Sequence, residues 1–299
     1  MDAAHTPVLV EEVLHWLRIR PTGTYIDATV GLGGHAVEIA ARLTTGMLVG
    51  MDRDAQALEI ARERLKGFEK NVTLVQANFE RIDQVAKSLN LPPADGVLAD
   101  LGVSSMQLDQ AERGFSFRAA GPLDMRMNPS GVDVESLTAE EIVNGWDERD
   151  LADALYNFGE ERDSRRIARA IVRARPIRST EHLAKVVAGA RHYGGRQKLH
   201  PATKTFLALR IAVNRELEAL EQFLLRAPAT LNSEARLVVL SYHSLEDRRV
   251  KHSFRDQAAA GVLRILTKKA VQASAAEIRR NHRARSVKLR AAEKLAGAQ

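Results

Sequence analysis

A short run of strand formers meets a cluster of glycines at Tyr25-Ile26-Asp27-Ala28-Thr29-Val30-Gly31-Leu32-Gly33-Gly34-His35. No other stretch constrains the chain as strongly. The residues that follow, Ala36 to Leu43, have helical apolar spacing. Strand, glycine turn and helix together bring backbone N–H groups up against a ligand. A second run of strand formers, Met47-Leu48-Val49-Gly50-Met51, ends on Asp52. An acid about 20 residues beyond a glycine turn is where a nucleotide-binding βαβ unit keeps its carboxylate for a ribose diol.

A glycine turn alone is weak evidence, because tight strand-to-helix turns are common. Here the preceding strand, the following helix and the acid on the next strand agree, which favours a ligand containing adenosine. The pattern is G-x-G-G and lacks the third, helix-packing glycine of dinucleotide sites. A pyrophosphate therefore fits less well than an uncharged or zwitterionic tail, and S-adenosylmethionine has that shape.

Further βα units follow. Ala55 to Phe68 has an apolar face at Ala57, Leu58, Ala61 and Leu65, and Val72 to Ala77 reads as a third strand ending at Asn78-Phe79. Ile82 to Leu89 reads as a short helix and Gly96 to Asp100 as a fourth strand. Pro7 to Leu17 reads as an amphipathic helix ahead of the first strand. Four such units predict a Rossmann-like, doubly wound, mostly parallel α/β sheet, with Gly31 to Gly34, Asp52, Phe79 and Asp100 gathered beyond its C-terminal strand ends. From Asp109 to Lys204 the alternation stops. Helical stretches are expected at 139–144, 148–158, 165–175 and 180–190, after a shaped loop rich in glycine, proline, arginine and aromatics at 112–127. The sheet resumes after one long helix over 203–225, with a fifth strand at 236–242 and a closing antiparallel pair near 262–268 and 286–292. The expected division is a core of residues 1–108 with 205–299, and an all-helical insertion of residues 109–204.

At 299 residues and 45% hydrophobic composition, the chain can bury such a core with an insertion. Its net charge of +6 favours an anionic partner. The chain has no cysteine, so disulfides, thiolate zinc sites and cysteine nucleophiles are excluded. Its nine histidines show no metal-ligand spacing, and no metal is expected. No apolar run approaches the roughly 20 residues of a membrane span, and the first residues do not read as a leader peptide. A cytoplasmic protein without membrane attachment is the expectation, with monomer and homodimer both open. Two basic stretches match the anionic partner. Arg162, Arg165, Arg166, Arg169 and Arg173 share one helix side, opposite Ile167 and Ile171. Lys268, Lys269, Arg279, Arg280, His282, Arg283, Arg285, Lys288 and Arg290 crowd the C-terminal part. Such runs are usually solvated faces, and they also suit a phosphate backbone.

Six motifs, in order, resemble one family. They are Asp27 to His35, Asp100-Leu101-Gly102-Val103-Ser104-Ser105, Arg113-Gly114-Phe115-Ser116-Phe117, Pro122-Leu123-Asp124-Met125-Arg126-Met127, His200-Pro201-Ala202-Thr203, and Ser241-Tyr242-His243-Ser244-Leu245-Glu246-Asp247-Arg248. The resemblance is to the bacterial methyltransferases that use S-adenosylmethionine to methylate the exocyclic N4 amine of a cytosine in small-subunit (16S) ribosomal RNA. It runs from His5-Thr6-Pro7-Val8 to Arg283-Ala284-Arg285-Ser286. It implies a Rossmann-like core, a helical insertion after the fourth strand, and ribosomal RNA as partner, within the small subunit or a late precursor. Met106 stands where the family pattern has proline, and Asn232-Ser233-Glu234-Ala235 replaces a Pro-Gly-Gly turn before the fifth strand.

The resemblance implies cofactor contacts at Gly33, Gly34, His35, Asp52, Phe79, Asp100 and Gln107. Asp52 would take the ribose hydroxyls, and Phe79 would lie against the adenine. Candidate substrate contacts are Arg113, Phe115, Phe117, Asp124 and Arg126 in the shaped loop, with Arg166, Arg169, Arg173, Arg279, Arg280 and Arg283 on phosphates. The exocyclic amine has its lone pair delocalised into the ring, so an acceptor for its N–H would help it attack. Asp100 is the first candidate, set against a purely cofactor-anchoring role, and His243 is the second, set against a hydrogen-bonded structural histidine. Two other classes stay open. A methyltransferase acting on protein or small molecules would not need two basic surfaces, and a non-catalytic RNA-binding protein would not need Gly33, Gly34, Asp52 and Asp100.

Overall fold

The computed structural model describes residues 7–129, 137–191 and 200–297. His5 and Thr6, the first residues of the family resemblance, lie outside this range, as does the first half of the segment read for a leader. In chain order the elements begin α1 (Val10–Leu17), β1 (Thr24–Asp27), α2 (Gly34–Ala40), β2 (Met47–Asp52), α3 (Ala55–Arg64), β3 (Val72–Gln76), α4 (Ile82–Ser88) and β4 (Ala94–Asp100). Next come α5 (Ser105–Asp109), α6 (Ala139–Gly145), α7 (Glu148–Gly159), α8 (Ser164–Arg173), α9 (Thr180–Ala190) and α10 (Thr203–Asn214). The chain closes with α11 (Glu216–Arg226), β5 (Leu231–Ser241), α12 (Ser244–Ala259), β6 (Leu263–Ile265), α13 (Ala275–Arg280) and β7 (Lys288–Lys294). Two compact units result, residues 1–104 with 217–299 and residues 105–216.

The first unit holds one seven-stranded sheet in the order β3-β2-β1-β4-β5-β7-β6. β1 to β5 run parallel, and β7 pairs antiparallel with both β5 and β6. Period-two alternation along the strands divides the core into two layers. Ile26, Val49, Val97, Leu237 and Val239 face one way, against Ile82 and Val85 of α4, Phe223 and Leu224 of α11 and Phe254 of α12. Tyr25, Leu48, Leu98, Val238 and Leu240 face the other, against Val13 and Leu17 of α1, Ile39 of α2 and Leu58 of α3. Both faces are covered, so these strands read as nearly continuous apolar runs.

β5 is longer than expected. Asn232 to Ala235, read as a loop, lies inside the strand as a bulge. Ala94 pairs with Leu231 but Gly96 pairs with Arg236, so the extra residues are looped out. Glu234 takes a left-handed conformation at φ 60°, and the Asn232 side chain accepts from the Ser233 N–H at 2.9 Å. An inserted stretch of this kind bends a strand without ending it.

The second unit is helical among its described residues. It runs from Ser105 to Glu216, wider than 109–204, because α10 packs on α7 and α6 and belongs with them. Its core is built by Ile142, Leu151, Leu155, Ile167, Ile171, Leu183, Val187, Phe206 and Leu209, all buried. Three of the helices, α6, α7 and α9, begin at side-chain caps, which satisfy otherwise orphaned N–H groups. Thr138 and Glu141 form a capping box ahead of α6, Asp147 caps α7 and Ser179 caps α9. The single long helix expected over 203–225 is two helices, broken where Arg215 turns left-handed at φ 49°. Arg210 locks that break with two hydrogen bonds to Glu216, at 2.7 and 2.8 Å. No helix among the described residues is long and apolar enough to cross a membrane.

Candidate active site

Three parallel strands of the first unit end on carboxylates, Asp27 on β1, Asp52 on β2 and Asp100 on β4. Between β1 and α2 the chain makes its glycine turn. Gly33 sits at φ 83°, and a Cβ there would come within 3.3 Å of the Ala61 backbone on α3, so both conformation and space select glycine. Asp52 ties this turn to the sheet, because its Oδ2 accepts the Gly31 N–H at 2.8 Å and its Oδ1 accepts the Asp54 N–H at 2.9 Å. Each oxygen keeps a further lone pair for a hydroxyl. Burial pushes Asp52 up to about 6, against the pull of those two backbone donors. Asp27 is fully enclosed beside it and is pushed by burial to about 7, although His35 and the Thr29 N–H draw it down.

Asp100 is fixed from two sides. Its N–H donates to Thr29 Oγ1 at 2.6 Å, and its Oδ1 accepts the Tyr242 hydroxyl at 2.8 Å. Its Oδ2 lies 3.5 Å from His35 Nε2. His35, in the first turn of α2, is 6% exposed, and its Nε2 is buried without a hydrogen-bond partner. Burial disfavours the His35 imidazolium, but the neighbouring carboxylate of Asp100, and then that of Asp27, outweigh it and raise its pKa. Phe79 follows β3, where Asn78 caps a single turn. Its ring and that of Phe223 form a T-shaped pair at 5.4 Å and 75°, and the residue remains partly exposed.

These residues suit S-adenosylmethionine. A partly exposed carboxylate at a strand end can accept a ribose diol, a partly exposed aromatic can take a purine, and a glycine turn lets backbone N–H groups approach a ligand without side chains between. His35 Nε2, buried and held to Asp100 Oδ2 only at 3.5 Å, lies beside that carboxylate at the strand ends. Gln107 lies in α5, at the start of the second unit, and is buried.

Two candidate substrate contacts, Arg113 and Phe115, are buried, and Phe117, Asp124 and Arg126 are partly exposed but engaged within the protein. Arg113 is 6% exposed and its guanidinium donates to the carbonyls of Arg126 and Met127, so it clasps the 112–127 loop from within. Phe115 is buried beneath it. Phe117 stacks on His200 at 4.5 Å and meets Phe206 edge-on at 4.9 Å. Asp124 and Arg126 pair with each other through two 2.8 Å hydrogen bonds. Burial would raise the Asp124 carboxyl, but Arg126 holds it low. His243 caps α12, its Nδ1 accepting the Glu246 N–H at 3.4 Å while Nε2 lies 3.1 Å from Glu246 Oε1. Lys288 and Arg290 leave the basic cluster, because both sit in β7 and pair with Asp247. By contrast Arg165, Arg166, Arg169 and Arg173 on α8, and Arg279, Arg280, His282, Arg283 and Arg285 near the C-terminus, are exposed.

Tyr242 and Thr29, which hold Asp100, were not singled out from the sequence. Both lie in motif stretches, and adjacency of β5 to β4 is what brings Tyr242 to the carboxylate.

A sheet in this order, its parallel strands tipped with acids beside a glycine turn and closed by an antiparallel β7, defines a Rossmann-like methyltransferase core. The MraW methylase family matches residues 2–295, and the chain belongs to that family. Its relatives agree over nearly their whole lengths. A protein of Koribacter versatilis named ribosomal RNA small subunit methyltransferase H is 55% identical, over 97% of this chain and 93% of its own. Proteins of the same name are 49% identical in Acidobacterium capsulatum, over 97% and 98%, and 52% identical in Cyanothece sp. strain PCC 7425, over 97% and 95%.

Proposed function

We propose that this chain methylates the exocyclic N4 amine of a cytosine in small-subunit (16S) ribosomal RNA, within the small subunit or a late precursor, using S-adenosylmethionine. Family membership and the relatives' names support ribosomal RNA as substrate class. The observation that carries the chemistry is Asp100, a strand-end carboxylate pinned by Tyr242 and Thr29 beside the glycine turn.

S-adenosylmethionine supplies an already activated methyl group on a sulfonium, so the protein's task is to align the amine and receive its proton. Gly33 and Gly34 give the backbone close approach, Asp52 accepts the ribose hydroxyls, Phe79 covers the adenine, and His35 and Gln107 contribute polar atoms. Asp100 accepts an N–H of the amine, which restores lone-pair density to the nitrogen, and then takes the proton. His243, engaged as a helix cap, is the second candidate for that step. The target base must be unstacked or single-stranded to enter. Arg166, Arg169 and Arg173, together with Arg279, Arg280 and Arg283, hold phosphates. Mass mapping of small-subunit RNA from cells lacking this protein tests the proposal. A cytidine that loses one methyl group is expected, and an unchanged methylation map would contradict it.

A further inference from the structure

The carboxylate of Asp100 has two oxygens, and their surroundings differ. Oδ1 receives the Tyr242 hydroxyl at 2.8 Å, while Oδ2 lies at the longer distance of 3.5 Å from Nε2 of His35. A carboxylate rotates easily about its last torsion, which has a broad and roughly two-fold profile. The Tyr242 hydroxyl, the closer of the two groups facing the carboxylate, fixes the direction of its plane and so the direction in which the oxygen turned away from it points. The geometry points to Tyr242 as a positioning residue for methyl transfer, holding Asp100 so that Oδ2 is the oxygen offered to the reacting amine. This rests on the reading of Asp100 as the amine's acceptor.

Tyr242 is itself well held. β5 lies beside β4 with Leu240 in register with Asp100, and Tyr242 follows two residues later on the same side, packed with the apolar layer that contains Leu240. Its backbone N–H donates to Glu246 Oε2 at 2.8 Å, and Glu246 is 3% exposed in the first turn of α12. The ring lies close to Gly102, where a Cβ would meet Cδ2 at 3.6 Å. Backbone, ring and hydroxyl are thus each fixed, which is how a supporting residue keeps a reacting group within a fraction of an ångström. Burial, and then the charge of Asp100, raise the phenol well above its ordinary value, so it remains a donor wherever the reaction runs. A tyrosine needed only to fill space would be replaced by phenylalanine without kinetic consequence.

The test is Tyr242→Phe in the full chain, alone and combined with Asp100→Asn. Single-turnover methylation of small-subunit RNA, with enzyme and S-adenosylmethionine in excess, should slow about 10- to 100-fold, the scale of a misplaced reacting group. S-adenosylmethionine affinity by calorimetry should change less than about threefold, and the double variant should be no slower than Asp100→Asn alone. A wild-type rate, a loss confined to cofactor affinity, or an equal further loss on top of Asp100→Asn would each overturn the assignment. Carbon-13 NMR of labelled tyrosine Cζ gives a readout independent of RNA. The Tyr242 signal, identified by its loss in Tyr242→Phe, should titrate at lower pH in Asp100→Asn than in wild type, and an unchanged titration would also overturn it. If wild-type protein methylates no small-subunit RNA, the reading of the substrate fails, and the NMR comparison still decides whether Tyr242 holds Asp100.

Discussion

The strand-end crevice of the first unit and the 112–127 loop of the second use the same residue types in opposite ways. Asp52 and Asp100 have their backbones and one face of each carboxylate engaged, yet both stay partly exposed with capacity to accept more. Asp124 and Arg126 satisfy each other, and Arg113 spends its guanidinium on the carbonyls of its own loop. The difference teaches that charge within a motif does not by itself mark contact with a ligand. What separates the two regions is that the strand-end carboxylates are held in place and still partly exposed, while Arg113 is buried and spent on backbone.

The largest effect expected from this contrast is on rate. Asp100→Asn keeps size and an acceptor oxygen but loses charge and the capacity to take a proton. Single-turnover methylation at saturating S-adenosylmethionine should slow by about 10²–10⁴-fold, the range of general-base assistance. A rate that recovers fully at saturation would reduce Asp100 to a cofactor anchor and move attention to His243. Next is a structural effect. Arg113→Met should cost about 2–4 kcal/mol in denaturant unfolding by leaving buried carbonyls unpaired. Arg169→Met, which removes an exposed partner of Glu148, should stay within about 0.5 kcal/mol. Equal costs would erase the distinction between clasping and displayed arginines.

Much of the first unit was legible because parallel strands announce themselves as apolar runs and place their last residues at one edge. The placement of Asp52, Phe79 and Asp100 at strand ends follows from that periodicity. The breaks were less legible. Arg215 adopts a left-handed conformation that nothing in its side chain requires, so α10 and α11 read as one helix. Asn232 to Ala235 are turn residues that a bulge accommodates inside β5. Arg113 and Phe115 were hard to read for another reason. An arginine and an aromatic in a glycine-rich loop look the same in sequence whether the loop packs on itself or on a partner. Only the carbonyls of Arg126 and Met127 beside Arg113 decide it. Tyr242 needed the pairing of β5 with β4, a contact between residues 142 positions apart.

Two smaller effects sharpen the same comparison. Asp52→Ala should weaken S-adenosylmethionine binding by about 1.5–3 kcal/mol, the range of hydrogen bonds to a charged group. Calorimetry showing comparable binding of NAD and none of S-adenosylmethionine would contradict the crevice as described. Neutralising Arg166, Arg169 and Arg173, or Arg279, Arg280 and Arg283, should lower RNA affinity and reduce the salt slope by about 0.7 to 0.9 per lost phosphate contact. An unchanged slope would return those arginines to the role of solvated surface.

The most direct test of the account is transfer itself. Purified protein is incubated with isotopically labelled S-adenosylmethionine and small ribosomal subunits from cells lacking it, and the RNA is digested to nucleosides. The label should appear in N4-methylated cytidine and disappear with Asp100→Asn under the same single-turnover conditions. Label on another nucleoside, on carbon or ribose oxygen, or on protein alone would contradict a crevice built to activate an exocyclic amine.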